Sequence, residues 1–457
     1  MASTNGGVAD EASLDPTSAS VLSLYLRLLS GDFLAAARER ENNRVYNTPV
    51  VMLLMILQRL QAGGCMESAV LALPDLPASL WPDPCKRLQP DGAAVSTNTG
   101  AYNKARQQLP LTVVEEFSDN AFAQLTATTN GSLPAIGRRA FVFDGTTVRT
   151  PHTKDLKQLY PPPSNQEGES HWPLIRMLVA HDVSTGLGMR PEWGAVNGPH
   201  AVSEQRLFEQ AVKRLPEDAV VVADANFGVF SVAYAAVQGN HPVVVRMTAV
   251  RAKSLLREPL RDGVDRRIEW KPTAADRKKH PALPPEASIS GRLIVSQVQP
   301  SDNSAAFLLC LFTTLDDDQE EIVKIYGRRW NIETDIGSLK GTLRLDQLTC
   351  KTPQMVDKEI TIAIMSYNLV RAVMCQAAQR AGLAPREFSF TRVKRLLNYY
   401  GPKIAAARTF NEVETLTARL ALAIGQARLY KRRTKRPTYP RAVWNSTKPF
   451  PRRKAKP

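Results

Sequence analysis

The chain has 457 residues, 43% hydrophobic and 23% charged, enough for two or three domains around a sizeable core and ordinary for a globular protein. Its five cysteines (Cys65, Cys85, Cys310, Cys350, Cys375) form no C-x-x-C pair, which excludes a zinc ribbon and a disulfide framework and favours a reducing compartment. The net charge of +15 is unevenly placed: Lys431 to Pro457 hold eleven Lys or Arg and no acid, leaving +4 for the rest. Such a tail points to a polyanion, most commonly nucleic acid, or to a solvated basic extension without a dedicated partner.

In chain order, residues 1–20 are small and polar, lack the basic start of a signal peptide, and read as disordered. Val21 to Glu41 and Thr48 to Leu60 read as helices, the second opened by Thr48-Pro49, a favourable start. Its apolar run, Val50 to Leu57, is the longest in the chain and too short to span a bilayer, so the expectation is a cytoplasmic protein with no membrane partner. After a Pro-rich stretch from Pro74 to Pro90, Thr99 to Gln124 reads as one helix carrying Tyr102, Lys104 and Arg106, which suit either a DNA contact or a solvated face.

From Arg139 the periodicity changes to that of strands. Ala140 to Phe143, Trp172 to His181, and Gly188 to Val196 read as strands. Ser203 to Leu215 is an amphipathic helix, Ala219 to Ala223 a buried strand, Phe227 to Gln238 a helix, and Pro242 to Met247 a strand. This order predicts a mixed sheet with helices packed on it. Residues 248–304 read as a small β insertion with strands at Arg266 to Trp270 and Arg292 to Gln299. Ala306 to Thr313 returns to strand, Asp316 to Asp318 invites a metal reading but suits a helix start, where acids meet the dipole, and Met355 to Gln379 is a long apolar helix.

Asp144 and Asp224 each follow a short hydrophobic strand, so neighbouring strands would bring both carboxylates to one edge of the sheet. Singly, Asp144 also reads as the turn residue of Asp-Gly and Asp224 as a cap of the following helix. Clustered carboxylates suit Mg²⁺, a hard cation that prefers oxygen ligands. Glu333 would reach the same point from a helix that also carries Tyr326, Arg329 and Lys340. At about 100° per residue, Arg329, Glu333 and Lys340 fall about 300°, 340° and 320° from Tyr326, so all four share an arc of roughly 60°. The arrangement fits a site that holds a metal ion and a phosphodiester together, or a salt-bridged surface face with Arg329 and Glu333 as an i,i+4 pair. His181-Asp182 resembles a metal dyad but, with no second His cluster, reads as a structural strand-end pair, and Trp270 reads as either a strand Trp or a stacking surface for an extruded base.

Y-x-x-R-x-x-x-E-x-x-x-x-x-x-K, met at every position by Tyr326, Arg329, Glu333 and Lys340, resembles the signature of bacterial DDE transposases of the insertion-sequence-four family. FVFDGTTVRTPHT at Phe141 to Thr153 is similar to the family's first-Asp block and VVADANFGVF at Val221 to Phe230 to its second. Pro353 to Met374 resembles its post-catalytic helix and Tyr439 to Arg441 its basic C-terminal motif, so the resemblance runs from about Thr48 to the tail. One departure is Ala225, where relatives often carry Arg.

The resemblance implies an α/β protein with an RNase H-like mixed-sheet core. The implied division is a disordered lead at 1–20, a helical DNA-binding region at 21–135, core at 136–247 and 305–385, the β insertion at 248–304, a helical region at 386–430 and a basic tail at 431–457. It implies cut-and-paste transposition, with Asp144, Asp224 and Glu333 both catalytic and ligands of two Mg²⁺ or Mn²⁺ ions. Tyr326, Arg329, Lys340, Trp270 and Arg441 would contact DNA, and a homodimer would join two element ends on double-stranded DNA near the nucleoid. The rival expectations are an RNase H-like nuclease without strand transfer and a non-catalytic DNA-binding descendant of a transposase.

Overall fold

The structure, a computed structural model, describes residues 21–29, 33, 44–61, 64–81, 98–165, 168–299 and 305–429. The expected disordered lead, the basic tail and Arg441 lie outside these residues.

Runs of Val, Leu and Phe with alternating or continuous burial build one eight-stranded sheet. Its strands are β1 (Ala140–Arg149), β4 (Leu174–Asp182), β5 (Glu192–Ala195), β6 (Val220–Ala223), β7 (Val243–Arg246), β8 (Val264–Trp270), β9 (Ile289–Val298) and β10 (Phe307–Thr313). Two short strands, β2 (Ser164–Asn165) and β3 (Gly168–Glu169), form a separate hairpin. The order across the large sheet is β5-β4-β1-β6-β7-β10-β9-β8. β1, β4 and β5 pair antiparallel, whereas β1, β6 and β7 pair parallel. An antiparallel meander followed by two parallel strands reached through helical crossovers is the RNase H-like arrangement. Glu204–Ala211 and Phe230–Gln238 supply the crossovers. β6 is buried at every residue and β7 at all but its last, as central parallel strands covered on both faces must be.

Two expectations change, and the segment expected as a β insertion is seen with its pairing. β1 does not stop at Phe143 but runs to Arg149, because β4 pairs with it from Phe141↔Asp182 to Arg149↔Leu174. Long-range pairing therefore overrides the Asp-Gly turn signal, and Asp144 lies within the strand, just past the end of its pairing with β6. The segment expected as a β insertion extends the same sheet: β9 pairs with β10 and β8 with β9. These pairings cover the edge that β10 would otherwise expose. The helix expected over Thr99 to Gln124 is two helices, Gly100–Gln108 and Leu111–Thr128, parted at Pro110, which offers no N–H to continue the ladder.

Pro353–Ala381 is the central helix. By length and composition it could cross a membrane, but 89% of its apolar window is buried inside the protein. Thr48–Leu60, Leu111–Thr128, Phe390–Ala405 and Phe410–Gly425 pack around it. Gly382, at φ 62°, ends it in the left-handed conformation that glycine adopts without a Cβ penalty.

Candidate active site

The register of the parallel strands places the candidate residues. Phe143 pairs with Ala223, and Ala223 with Val245. The next residue on each strand path is Asp144, Asp224 and Arg246 in turn, so two acids and a base stand in a row across β1, β6 and β7. Neighbouring strands lie about 4.8 Å apart, which brings the two aspartates together as the sequence predicts. Burial and then the Asp224 carboxylate push Asp144 up to about 6, against the Gly145 N–H and the Arg329 guanidinium. The Gly145 N–H donates to Asp144 Oδ1 at 2.8 Å, and the Asn226 N–H donates to Asp224 Oδ1 at 2.9 Å. Two hard carboxylates held against their mutual repulsion match the ligand preference of a divalent cation.

Glu333 enters from the side. The path through the Tyr326–Lys340 stripe is not one uniform helix. It runs as α-helix Gln319–Gly327, a 3₁₀ turn Arg328–Trp330, α-helix Asn331–Gly337 and a π turn Ser338–Thr342. Asn331–Gly337 packs on β1 and β4, which brings Glu333 to the side of the sheet that holds Asp144. Its carboxylate is exposed. Among the described residues, no three acidic, histidine or cysteine side chains stand close enough to hold one metal ion. Asp144 and Asp224 are therefore brought together, whereas Glu333 stands on a helix packed against β1 and β4 and does not close on them.

The remaining stripe residues divide. Tyr326 is buried, its hydroxyl pushed up by that burial, with Arg329, Arg246 and Asp224 around it and a hydrogen bond to Arg246. Arg329 does not pair with Glu333 as the i,i+4 alternative requires. Its guanidinium lies 4.7 Å from the centre of the Trp330 ring, and its Nε is buried without a partner among the described residues. Lys340 Nζ donates to Thr146 Oγ1 at 3.2 Å and Thr147 O at 2.8 Å, tying the π turn to β1, and burial pulls its pKa down.

Trp270 does not offer a face to a base. It is 2% exposed, with Phe230 and Phe312 edge-on at 5.7 and 4.9 Å, so the last residue of β8 belongs to the core. Tyr102 is likewise buried, its hydroxyl on Gln58 Oε1 at 3.2 Å, while Lys104 is exposed. His181 and Asp182 are structural as expected. His181 Nδ1 meets Gly186 O at 3.2 Å, Asp182 pairs with Arg139 at 2.6 Å, and burial drops His181 to about 4. Asp318 caps the Gln319–Gly327 helix, accepting from Glu320 N at 2.9 Å.

Three further residues stand at the candidate site that the sequence did not single out. Arg246 ends a buried Val run as Asp144 and Asp224 follow theirs, so its signal was present. Trp330, 62% exposed, is the aromatic that faces solvent beside Glu333. Glu204 sets its carboxylate beside Asp144 from the first turn of a crossover helix, where an acid looks like an ordinary dipole partner.

A family model described as the transposase DDE domain matches residues 136–369, a stretch that contains all three candidate acids. The transposase InsG for insertion sequence element IS4, from Escherichia coli (strain K12), is 23% identical over 261 residues. That match covers 56% of this chain and 57% of the relative, so the chain spans little more than half the length of the curated relative it matches. A cryo-EM structure of the piggyBac transposase synaptic complex with hairpin DNA aligns over 92% of this chain and 86% of its own, at 12% identity and a TM-score of 0.40.

Proposed function

The chain belongs to the DDE transposase domain family, and from that premise we propose that it cuts DNA at the ends of an insertion element and joins the freed 3′-hydroxyls to target DNA. The observation that carries this reading is the row Asp144, Asp224, Arg246 at the ends of the pairing between β1, β6 and β7. Asp144 and Asp224 would hold the divalent cations, Mg²⁺ or Mn²⁺ and two in number, with Glu333 as the third ligand. Its exposed carboxylate is free of hydrogen bonds and ion pairs among the described residues, which leaves it available to a cation. Bound cations supply Lewis acidity to the scissile phosphodiester and to its nucleophile.

The chain's own groups do the rest. Arg246 and Arg329 set guanidiniums beside the aspartates, where charge-assisted bonds would seat phosphate oxygens of the element end. Tyr326, kept neutral by burial and held by Arg246, orients that guanidinium. Lys340 uses two of its three N–H donors on β1 and keeps one for phosphate. The family's way of working further implies a homodimer that joins two ends.

Incubating the full chain with precut end DNA, a supercoiled target plasmid and Mg²⁺ tests the reading. The expected result is joined product that depends on Asp144, Asp224 and Glu333. Cleavage without joining would make the chain a nuclease, and end binding without either would make it a DNA-binding descendant.

A further inference from the structure

One turn of helix touches the surroundings of both aspartates. Glu204 Oε2 accepts from Asn226 Nδ2 at 2.6 Å, and Gln205 Nε2 donates to the Asn226 carbonyl at 2.9 Å. Asn226 in turn gives its N–H to Asp224 Oδ1. The first turn of Glu204–Ala211 thus grips, by side chain and main chain together, the residue that holds Asp224. On its other side the Glu204 carboxylate lies over Gly145, where a Cβ would come within 2.0 Å of Oε1. Gly145 is the residue whose N–H holds Asp144. Ser203 caps this helix by accepting from Arg206 N at 3.1 Å, which fixes where the turn begins.

The placement needs a reason. A carboxylate beside Asp144 is repelled by it, and a surface helix has open solvent to which an acid could point instead. Glycine inside a strand also weakens it, unless another group must approach the backbone closely. Both costs meet at the same contact, Glu204 on Gly145.

We propose that Glu204 and Gln205 are positioning residues that set the separation of Asp144 and Asp224 by clamping Gly145 on one strand and Asn226 on the turn after the other. The inference rests on the reading of the aspartates as a cation site. Its chemistry is hydrogen bonding and contact rather than ligation: Glu204 acts through the residues next to the aspartates and touches neither metal nor DNA. Groups that orient metal ligands from behind are worth about 10- to 100-fold in metal affinity when removed.

The test is Mn²⁺ titration of the purified full chain, followed by calorimetry and by electron paramagnetic resonance of free Mn²⁺, with end cleavage and thermal melting alongside. Glu204→Ala with Gln205→Ala should weaken Mn²⁺ binding about tenfold or more. Glu204→Gln keeps an oxygen acceptor for Asn226 and the same reach, so it should restore affinity to within about threefold of the native chain, one neutral hydrogen bond being a modest term. Gly145→Ala keeps every charge but pushes Glu204 aside, and should weaken Mn²⁺ binding like the double variant. If the double variant does not fold, the Gln and Gly145 variants decide between them.

Native-like Mn²⁺ affinity in the double variant or in Gly145→Ala overturns the clamp. So does a folded Glu204→Gln that binds as weakly as the double variant, since the charge itself would then be at work. Asp144→Asn in the same titration separates this inference from its premise. If that variant keeps native Mn²⁺ affinity, the cation site itself is wrong; if it loses affinity while the Glu204 and Gly145 variants do not, only the clamp is.

Discussion

Arg371 Nη2 lies 2.5 Å from Asp335 Oδ1 with both side chains closed to solvent, and Asp335 stands two residues beyond Glu333 on the same short helix. Arg386 reaches the other oxygen at 2.9 Å and also donates to the carbonyl of Asp182, while the Tyr367 hydroxyl adds a bond at 3.0 Å. The helix that presents Glu333 is therefore pinned to the end of β4 and to the central helix by one buried carboxylate. The exposed acid thus stands two residues from a buried ion pair that anchors its helix.

Asp335→Asn should cost about 3–5 kcal/mol, since it leaves two arginines with no countercharge in the interior. Burial pushes the Asp335 carboxyl up, but Arg371 and Arg386 outweigh it and hold it below the ordinary 3.8. A lowered folded value means the contribution is complete above the unfolded pKa and is lost as pH falls through the folded one. Denaturant melts from pH 2 to 6 should show the native chain losing stability below about pH 4, with a shallower loss in the variant. Equal slopes would remove the buried carboxylate from the account of acid unfolding.

Asp144 has the opposite sign. Its folded value is raised from 3.8 to about 6, so its contribution to the metal-free protein is full below 3.8 and is lost as pH rises through about 6. With metal chelated, Asp144→Asn should melt above the native chain at pH 8, and the gap should shrink by pH 4. Cation binding must displace the Asp144 proton, so native Mn²⁺ affinity should fall as pH drops below about 6. Thermal melts in chelator at pH 4 and 8 check the first point. A variant melting below the native chain at pH 8 would show that the pair is not strained by its own charge.

Arg246 offers a separate check on DNA. Arg246→Ala should weaken binding to element-end duplex and lower the log–log salt slope by about 0.9, the loss of one phosphate contact. Arg246→Lys should recover only part of the affinity, because a point charge cannot reproduce the planar fork that meets Tyr326 and a phosphate together. Anisotropy titrations from 50 to about 200 mM salt read both effects. An unchanged slope in Arg246→Ala would confine this residue to holding Tyr326.

Much of the site was legible because its signals are local. Asp144 and Asp224 each follow four buried residues, and parallel pairing of such runs puts what comes next side by side. The mixed sheet with its packed helices followed from three strands and then two separated by helices. What the sequence hid depends on contacts distant along the chain. The four-residue stripe fits an ideal helix, but the 3₁₀ turn at Arg328–Trp330 and the π turn at Ser338–Thr342 change its pitch. Lys340 settles on Thr146 and Thr147, about two hundred residues earlier. Glu204 is invisible for the same reason, since only the crossover from β5 to β6 carries its helix over Gly145. Trp270 is buried and Trp330 exposed because burial depends on what covers the end of β8, which Phe230 and Phe312 decide.

That difference in burial gives the last prediction. Trp270 fills core space between two phenylalanines, so Trp270→Ala should destabilise by about 3–5 kcal/mol as a cavity opens. Trp330 is 62% exposed and touches the Arg329 guanidinium, so Trp330→Ala should leave stability within about 0.5 kcal/mol of the native chain. If its ring stacks on an unpaired base at the cut end, the same substitution should weaken binding of end DNA with a frayed terminal base pair by about 1–3 kcal/mol. Binding of the fully paired duplex should fall less, and Trp330→Phe should keep part of the difference, because stacking needs an aromatic face more than an indole. Chemical denaturation of both alanine variants, with titrations of frayed and paired ends by Trp330→Ala and Trp330→Phe, gives every comparison needed. Should Trp330→Ala bind both ends as the native chain does, the exposed ring would be a support for Arg329 alone, and base stacking beside Glu333 would have to be abandoned.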